Sequence, residues 1–270
     1  MATLGGLIKD YRIQKRLSQL DIASEIGWSD ATRLSKIEQG RTSKPTRKVL
    51  EKISQALGLS ETEKNELLLF GSYLPTKEET KRAINEVKEK LDSWQYPATM
   101  TDFTWRMVAF NKPAAKTFYV NPNIDLFKVD FNFLELPFLP KSVFPVEILK
   151  GEDEETLQPF PIFQVAQFKL EEHIRTEETW YRKLIAKLMK KENFRHYWTT
   201  VTPNSYKKKL LDYEYKVVKG NWLGKKQVLK FHLLSSKLIS DSRFQTILYF
   251  PADKETESFY VKKLYLKVKV

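Results

Sequence analysis

The stretch that most constrains the fold of this 270-residue chain is Leu17–Gly40, "LSQLDIASEIGWSDATRLSKIEQG". Leu20, Ile22, Ala23 and Ile26 recur at helical spacing, Ser18 is placed to cap that helix and Gly27 to end it. After a tight "GWSD" turn a second short helix begins near Ser29 or Asp30. It sends Leu34 and Ile37 inward and stops at Gly40. Upstream, Leu7, Ile8, Tyr11 and Ile13 predict a first helix. Downstream, Pro45 opens a fourth over "TRKVLEKISQALG", with Val49, Leu50, Ile53 and Leu57 at core spacing. Ser60 and Glu63 form a capping box at the head of a fifth. Residues 5–70 are therefore expected to be five short helices.

Two short helices joined by so tight a turn match a helix-turn-helix, in which the later helix enters the DNA major groove. Here the sequence resembles the Cro/repressor-like (XRE) class of transcriptional regulators. The resemblance rests on "LSQ…IA…G", "RLSKIEQGR", Pro45 and "ISQALGL". It implies that Gln19, at the start of the second helix, bonds a phosphate. Ala31, Thr32, Arg33, Ser35 and Lys36 would populate the reading face, with Arg33 or Lys36 donating to guanine and Thr32 touching a thymine methyl or a phosphate. Arg41, Ser43, Lys44 and Arg47 would follow on backbone phosphates. Arg12 and Glu38 match a buried ion pair of that class and are expected to be structural.

Charge alone points to the other end of the chain. Of the net +12, residues 1–71 carry 12 basic against 9 acidic side chains, and residues 205–270 carry 15 against 6, including Lys207–Lys209. That basic excess reads either as a solvated face or as part of an acidic partner's surface. The absence of cysteine excludes disulfides, thiolate metal sites and a cysteine nucleophile. No apolar run approaches membrane-spanning length, and "MATLGGLIKDYRIQKRL" lacks a signal peptide's apolar core, so a cytoplasmic protein without membrane insertion is expected.

Residues 74–96 read as a charged connector helix with a thin stripe of Ala83, Ile84, Val87 and Leu91. Beyond Pro97 aromatic and β-branched residues dominate. "TDFTWRMVAFN" alternates as a strand placing Phe103, Trp105, Met107 and Ala109 on one face, and Asn111 is set to cap the helix "KPAAKTF". "EETWYRKLIAKLMKKE" and "NFRHYW" are helical. "LLDYEYKVVK", "KKQVLKFHLLSS", "FQTILYFPAD" and "SFYVKKLYLKVKV" read as antiparallel strands, and "GEDEE" as a surface loop. Enzyme readings find no support. The three histidines, His173, His196 and His232, are scattered, and neither a zinc-peptidase helix nor a phosphate loop is present.

"YPATMTDFTWRMVAFNKPAAKTF", with "NFRHYW" and "SRFQTILYFPADKET", resembles the MmyB-like ligand-binding domain, a PAS-like fold, on Pro97, Ala98, Trp105, Asn111, Ala114, Ala115, Phe118, Phe194, Arg195 and Trp198. Residues 131–163 depart from that pattern. The resemblance implies an α+β antiparallel-sheet domain over 97–270, following the all-α helix-turn-helix domain of 1–73. It further implies a homodimer on a double-stranded operator, with no cofactor other than a small apolar, fatty-acid-like ligand. The expected lining is Phe103, Trp105, Met107, Phe194 and Trp198, with Arg106 or a tyrosine hydroxyl on the head group. The other reading is a second domain that binds a protein partner and holds no ligand. The 17 Phe, 12 Tyr and 6 Trp serve a cavity wall and a filled core equally well.

Overall fold

Side-chain caps decide where the N-terminal helices begin. Thr3 caps α1 (Leu4–Gln14) and Thr46 caps α4 (Arg47–Ala56), while Ser18–Asp21 and Ser60–Glu63 form reciprocal boxes on α2 (Gln19–Glu25) and α5 (Glu61–Phe70). The start of α3 (Thr32–Glu38) differs: Ala31 offers no cap, and the Asp30 carboxylate accepts from the Thr32 amide at 2.7 Å. The computed structural model describes residues 3–42, 44–118, 131–151, 155, 157–203, 215–222 and 224–264.

The chain divides into two units, Met1–Glu79 with Lys237–Phe244, and Thr80–Ser236 with Gln245–Val270. In the first, Ile8, Ile22, Leu34, Leu50, Ile53, Leu67 and Leu68 form the core of the five-helix domain. Two expected core residues lie outside it, Ile13 at 56% exposure and Leu20 at 59%. Each stands two positions from a buried residue (Tyr11 and Ile22), and at 3.6 residues per turn that places it on the opposite face.

The segment Lys237–Phe244 enters this unit through Arg243, which is fully buried. Its guanidinium donates to Asp241 at 2.9 and 2.7 Å and to Asn65 Oδ1 at 3.2 Å, and lies 3.3 Å from Glu79 Oε2. Asn65 in turn donates to the Ser240 carbonyl at 2.9 Å. Glu79 also accepts the Thr76 amide at 2.8 Å and the Arg47 guanidinium. Burial pushes its carboxyl up, but the Thr76 amide, Arg243 and Arg47 outweigh burial and hold it below the ordinary value of 4.5.

The second unit is built on an antiparallel seven-stranded sheet of order β2-β1-β7-β6-β5-β3-β4. The strands are β1 (Ala98–Asp102), β2 (Met107–Phe110), β3 (Glu147–Gly151), β4 (Gln158–Pro159), β5 (Tyr215–Trp222), β6 (Lys225–Lys237) and β7 (Phe244–Pro251). The helices are α6 (Lys77–Ser93, which begins in the first unit), α7 (Lys112–Phe118), α8 (Phe160–Glu171), α9 (Thr179–Leu188), α10 (Glu192–Thr200) and α11 (Lys254–Ser258). One apolar cluster gathers Phe118, Phe231, Tyr249 and Tyr260, and another gathers Trp105, Val165, Phe168, Leu188 and Phe194.

Asn111 sets the entry to the sheet. Its Oδ1 accepts from the amides of Ala98 and Ala114, both at 3.0 Å, and its amide nitrogen meets the carbonyls of Leu91, Trp94 and Tyr96. It caps α7 and ties the end of α6 to β1.

Two expected strands are corrected. "TDFTWRMVAFN" is a hairpin and not one strand. Asp102 Oδ1 accepts from the amide and hydroxyl of Thr104, and Trp105 takes a left-handed φ of 65° between β1 and β2. "SFYVKKL" is helical because Asp253 caps α11, accepting from the Thr256 amide at 2.8 Å, and a π-helical turn continues over Phe259–Leu264. Of "LLDYEYKVVK" residues 210–214, of "GEDEE" residues 152–154, and Lys207–Lys209 lie outside the described residues.

Arg243→Leu leaves the carboxylates of Asp241 and Glu79 without their buried cation. It is expected to lower the stability of the first unit by about 3–5 kcal/mol, read by urea denaturation of the full chain. Because Glu79 is depressed in the fold, its contribution is complete above 4.5 and is lost as pH falls below it. Glu79→Gln should therefore remove part of the acid sensitivity of that transition.

Candidate functional site

The helix-turn-helix is held by one carboxylate. Glu38, buried at the end of α3, takes Arg12 Nε at 2.7 Å and Nη2 at 2.9 Å, and the Gln19 amide at 2.7 Å. Arg12 Nη1 also donates to the Leu17 carbonyl at 3.0 Å. The ends of α1, α2 and α3 thus meet at a single group. Gly5 allows the approach of α1, since a Cβ there would stand 2.2 Å from the Ile37 carbonyl oxygen.

This node also includes Gln19, the half-buried residue expected on a phosphate. Its side-chain amide is engaged by Glu38. On α3, Thr32, Arg33 and Lys36 are exposed, and Ala31 and Ser35 are half-buried. The Arg33 guanidinium lies 4.7 Å from the Trp28 ring centroid, so the turn residue Trp28 orients it, a role the sequence reading missed. The Ser35 hydroxyl accepts from Gln39 Nε2 at 3.0 Å. The side chains of Lys36 and Arg41 make no hydrogen bond or ion pair among the described residues, and both residues are exposed.

The expected phosphate contacts divide. Ser43 lies outside the described residues. Lys44 donates to the Ser72 carbonyl at 3.2 Å and sits 4.5 Å from the Tyr73 ring centroid. Arg47 is spent on structure. It donates to Glu51 at 3.0 Å, to the Leu74 carbonyl at 2.8 Å and to Glu79.

In the second unit the expected ligand lining does not converge on one cavity. Trp105, Phe194 and Trp198 belong to the cluster of α8, α9 and α10, and Met107 packs against the other cluster. Phe194 is fully buried and stacks on Trp198 at 5.3 Å, and Trp105 meets Phe168 edge-on at 5.3 Å while its Nε1 donates to Glu171 at 2.9 Å. Phe103 contacts Trp180 and Arg175. Arg106 pairs with Asp102 at 2.9 Å, and its side chain is partly exposed. Near it, burial raises Glu172 to about 7 despite its 3.0 Å pair with Arg175.

A cavity of about 170 Å³ lies elsewhere in this unit, lined by Leu136, Leu139, Phe144, Val146, Ile148 and Phe160 among others. It falls within the stretch to which the family resemblance does not extend. Among the described residues no group of three or more His, Asp or Glu is arranged to hold a metal, and no helix is long and apolar enough to cross a membrane.

Residues 3–67 match the model of a helix-turn-helix domain. That match and the α2–turn–α3 geometry support a DNA-binding regulator. No curated protein matches the chain.

Arg12→Ala strands the Glu38 carboxylate and should cost about 3–5 kcal/mol by chemical denaturation. A wild-type denaturation midpoint in that variant would remove Glu38 as the node. Arg47→Ala should likewise lower stability, and should leave the salt dependence of DNA binding at its wild-type slope.

Proposed function

We propose that the chain is a sequence-specific, DNA-binding transcriptional regulator acting as a homodimer in the cytoplasm, with its second unit a PAS-like, MmyB-type sensor of a small apolar ligand. The observation that carries the DNA reading is the α3 surface. Thr32, Arg33 and Lys36 stand exposed on a helix whose inner face, Leu34, Ile37 and Glu38, is fixed in the domain core. Arg41 adds a cation just beyond it. On such a scaffold the exposed side chains reach base edges while neighbouring cations meet phosphates.

The sensor reading is supported by the sheet with its aromatic clusters and by the 170 Å³ cavity. Regulation would be a coupling free energy: a ligand favouring one arrangement of the dimer changes half-site spacing and so operator affinity. No catalytic step is assigned.

Binding-site selection with the full chain tests the reading and should recover a motif with two related half-sites. Arg33→Ala and Lys36→Ala should each shift the preferred base at one position, losing about 1–3 kcal/mol per base contact. Binding that stays blind to sequence and depends on salt alone would overturn it.

A further inference from the structure

The second unit buries a lysine in its core. Lys216 on β5 is 1% exposed, and its ammonium group lies 4.2 Å from the Phe160 ring centroid, 5.0 Å from that of Tyr249 and 5.7 Å from that of Phe133. Its hydrogen-bond partner among the described residues is the Tyr249 hydroxyl, at 3.1 Å, and no described carboxylate pairs with it. Directly opposite on β3 stands a second buried lysine, Lys150, 6.0 Å from the Phe163 ring centroid. Burying the Lys216 amine is costly, and the lysine that faces it across the strands disfavours its charged form further. A side chain serving only to fill the core would be apolar here.

Phe160, at the start of α8, stands between Lys216 and the 170 Å³ cavity: it covers the Lys216 amine on one side and lines the cavity on the other. The strand residues Ile148 and Leu149, next to Lys150, line the cavity as well. One end of the site therefore holds buried amines and a hydroxyl, and the other is lined mainly by apolar side chains, with Lys141 and Glu147 also on its wall.

We propose that Lys216, with Tyr249 and Lys150 beside it, receives the carboxylate of a short-chain acid whose apolar tail occupies the cavity beyond Phe160. This rests on the ligand-sensing reading and replaces Arg106 as the head-group partner. The cavity is well under the roughly 300–1,000 Å³ of ligand pockets in general, which favours a short chain over the long one expected from the resemblance.

A proton is linked to binding. Among the described residues, the polar groups facing Lys216 are Lys150 from β3 and Tyr249 from β7. The other packed elements offer Phe160 from α8, Phe231 from β6 and Phe133. Burial first, and Lys150 second, push Lys216 well below the ordinary lysine value of 10.5. An incoming carboxylate opposes both, so the amine takes up a proton as the acid binds.

Isothermal titration of the full chain with octanoate and with octanol, in two buffers of different ionisation enthalpy, tests the assignment. Octanoate should bind wild type at least about tenfold more tightly than octanol, with proton uptake. In Lys216→Met octanoate should fall to the level of octanol and the proton uptake should vanish. If wild type binds the two probes equally, the sensing reading stands and the acid site falls. If neither binds, both fall. An octanoate preference that survives Lys216→Met places the carboxylate elsewhere and overturns the proposal. Should that variant not fold, Tyr249→Phe decides the matter: a several-fold loss of the octanoate preference supports the site, and an unchanged preference overturns it.

Discussion

The Glu38 carboxylate is the interaction on which the DNA-binding unit depends. A carboxylate this buried is tolerated only if its oxygens are met by donors, and here Arg12 and Gln19 supply three. Because those donors come from α1 and from the first residue of α2, satisfying one charge fixes the positions of three helices. α3 has only 7 residues, too short to hold its own orientation by helix propensity. What holds it are Leu34, Ile37 and Glu38 on its inner face, and these leave Thr32, Arg33 and Lys36 on the outer one.

A second buried charge works on the same principle over a longer stretch of sequence. Arg243 reaches Asn65 on α5 and Glu79 on α6, and Arg47 reaches the same Glu79. An arginine that bonds Leu74 and Glu79 within its own unit has few donors left for a phosphate. Sequence position alone gives no warning of this, because Arg47 follows the recognition helix where phosphate contacts are usual. Its partner Glu79 lies 32 residues away.

What was legible in the sequence is what is decided locally. Ser18, Ser60 and Asn111 could be assigned as caps because a cap and its partner lie within a few residues. The core of 5–70 was legible where apolar residues fell three or four apart, and misread at Ile13 and Leu20, where they fell two apart. Trp105 defeated the alternation rule for a different reason. Asp102 draws the next residues into a turn, and an apolar–polar alternation cannot register a single left-handed φ. The helical ending of 254–264 was hidden for a related reason: "SFYVKKLY" has strand composition, and the Asp253 cap that overrides it lies five residues before that run begins.

The candidate ligand site was the least legible part, and the cause is physical. Its residues come from β3, β5, β7 and α8, and only strand register brings Lys150 opposite Lys216. In a linear reading each lysine is one of 46 basic residues and counts toward a solvated face. Burial reverses the meaning of the same charge. On the surface it is hydrated and contributes little, whereas between the sheet and Phe160 it is a cost that the fold carries. The aromatic residues expected at the ligand, Trp105, Phe194 and Trp198, pack instead with Phe168 and Leu188 around the helices. Aromatic content therefore marked where the core is dense, and strand register, which composition cannot show, brings the two lysines into it.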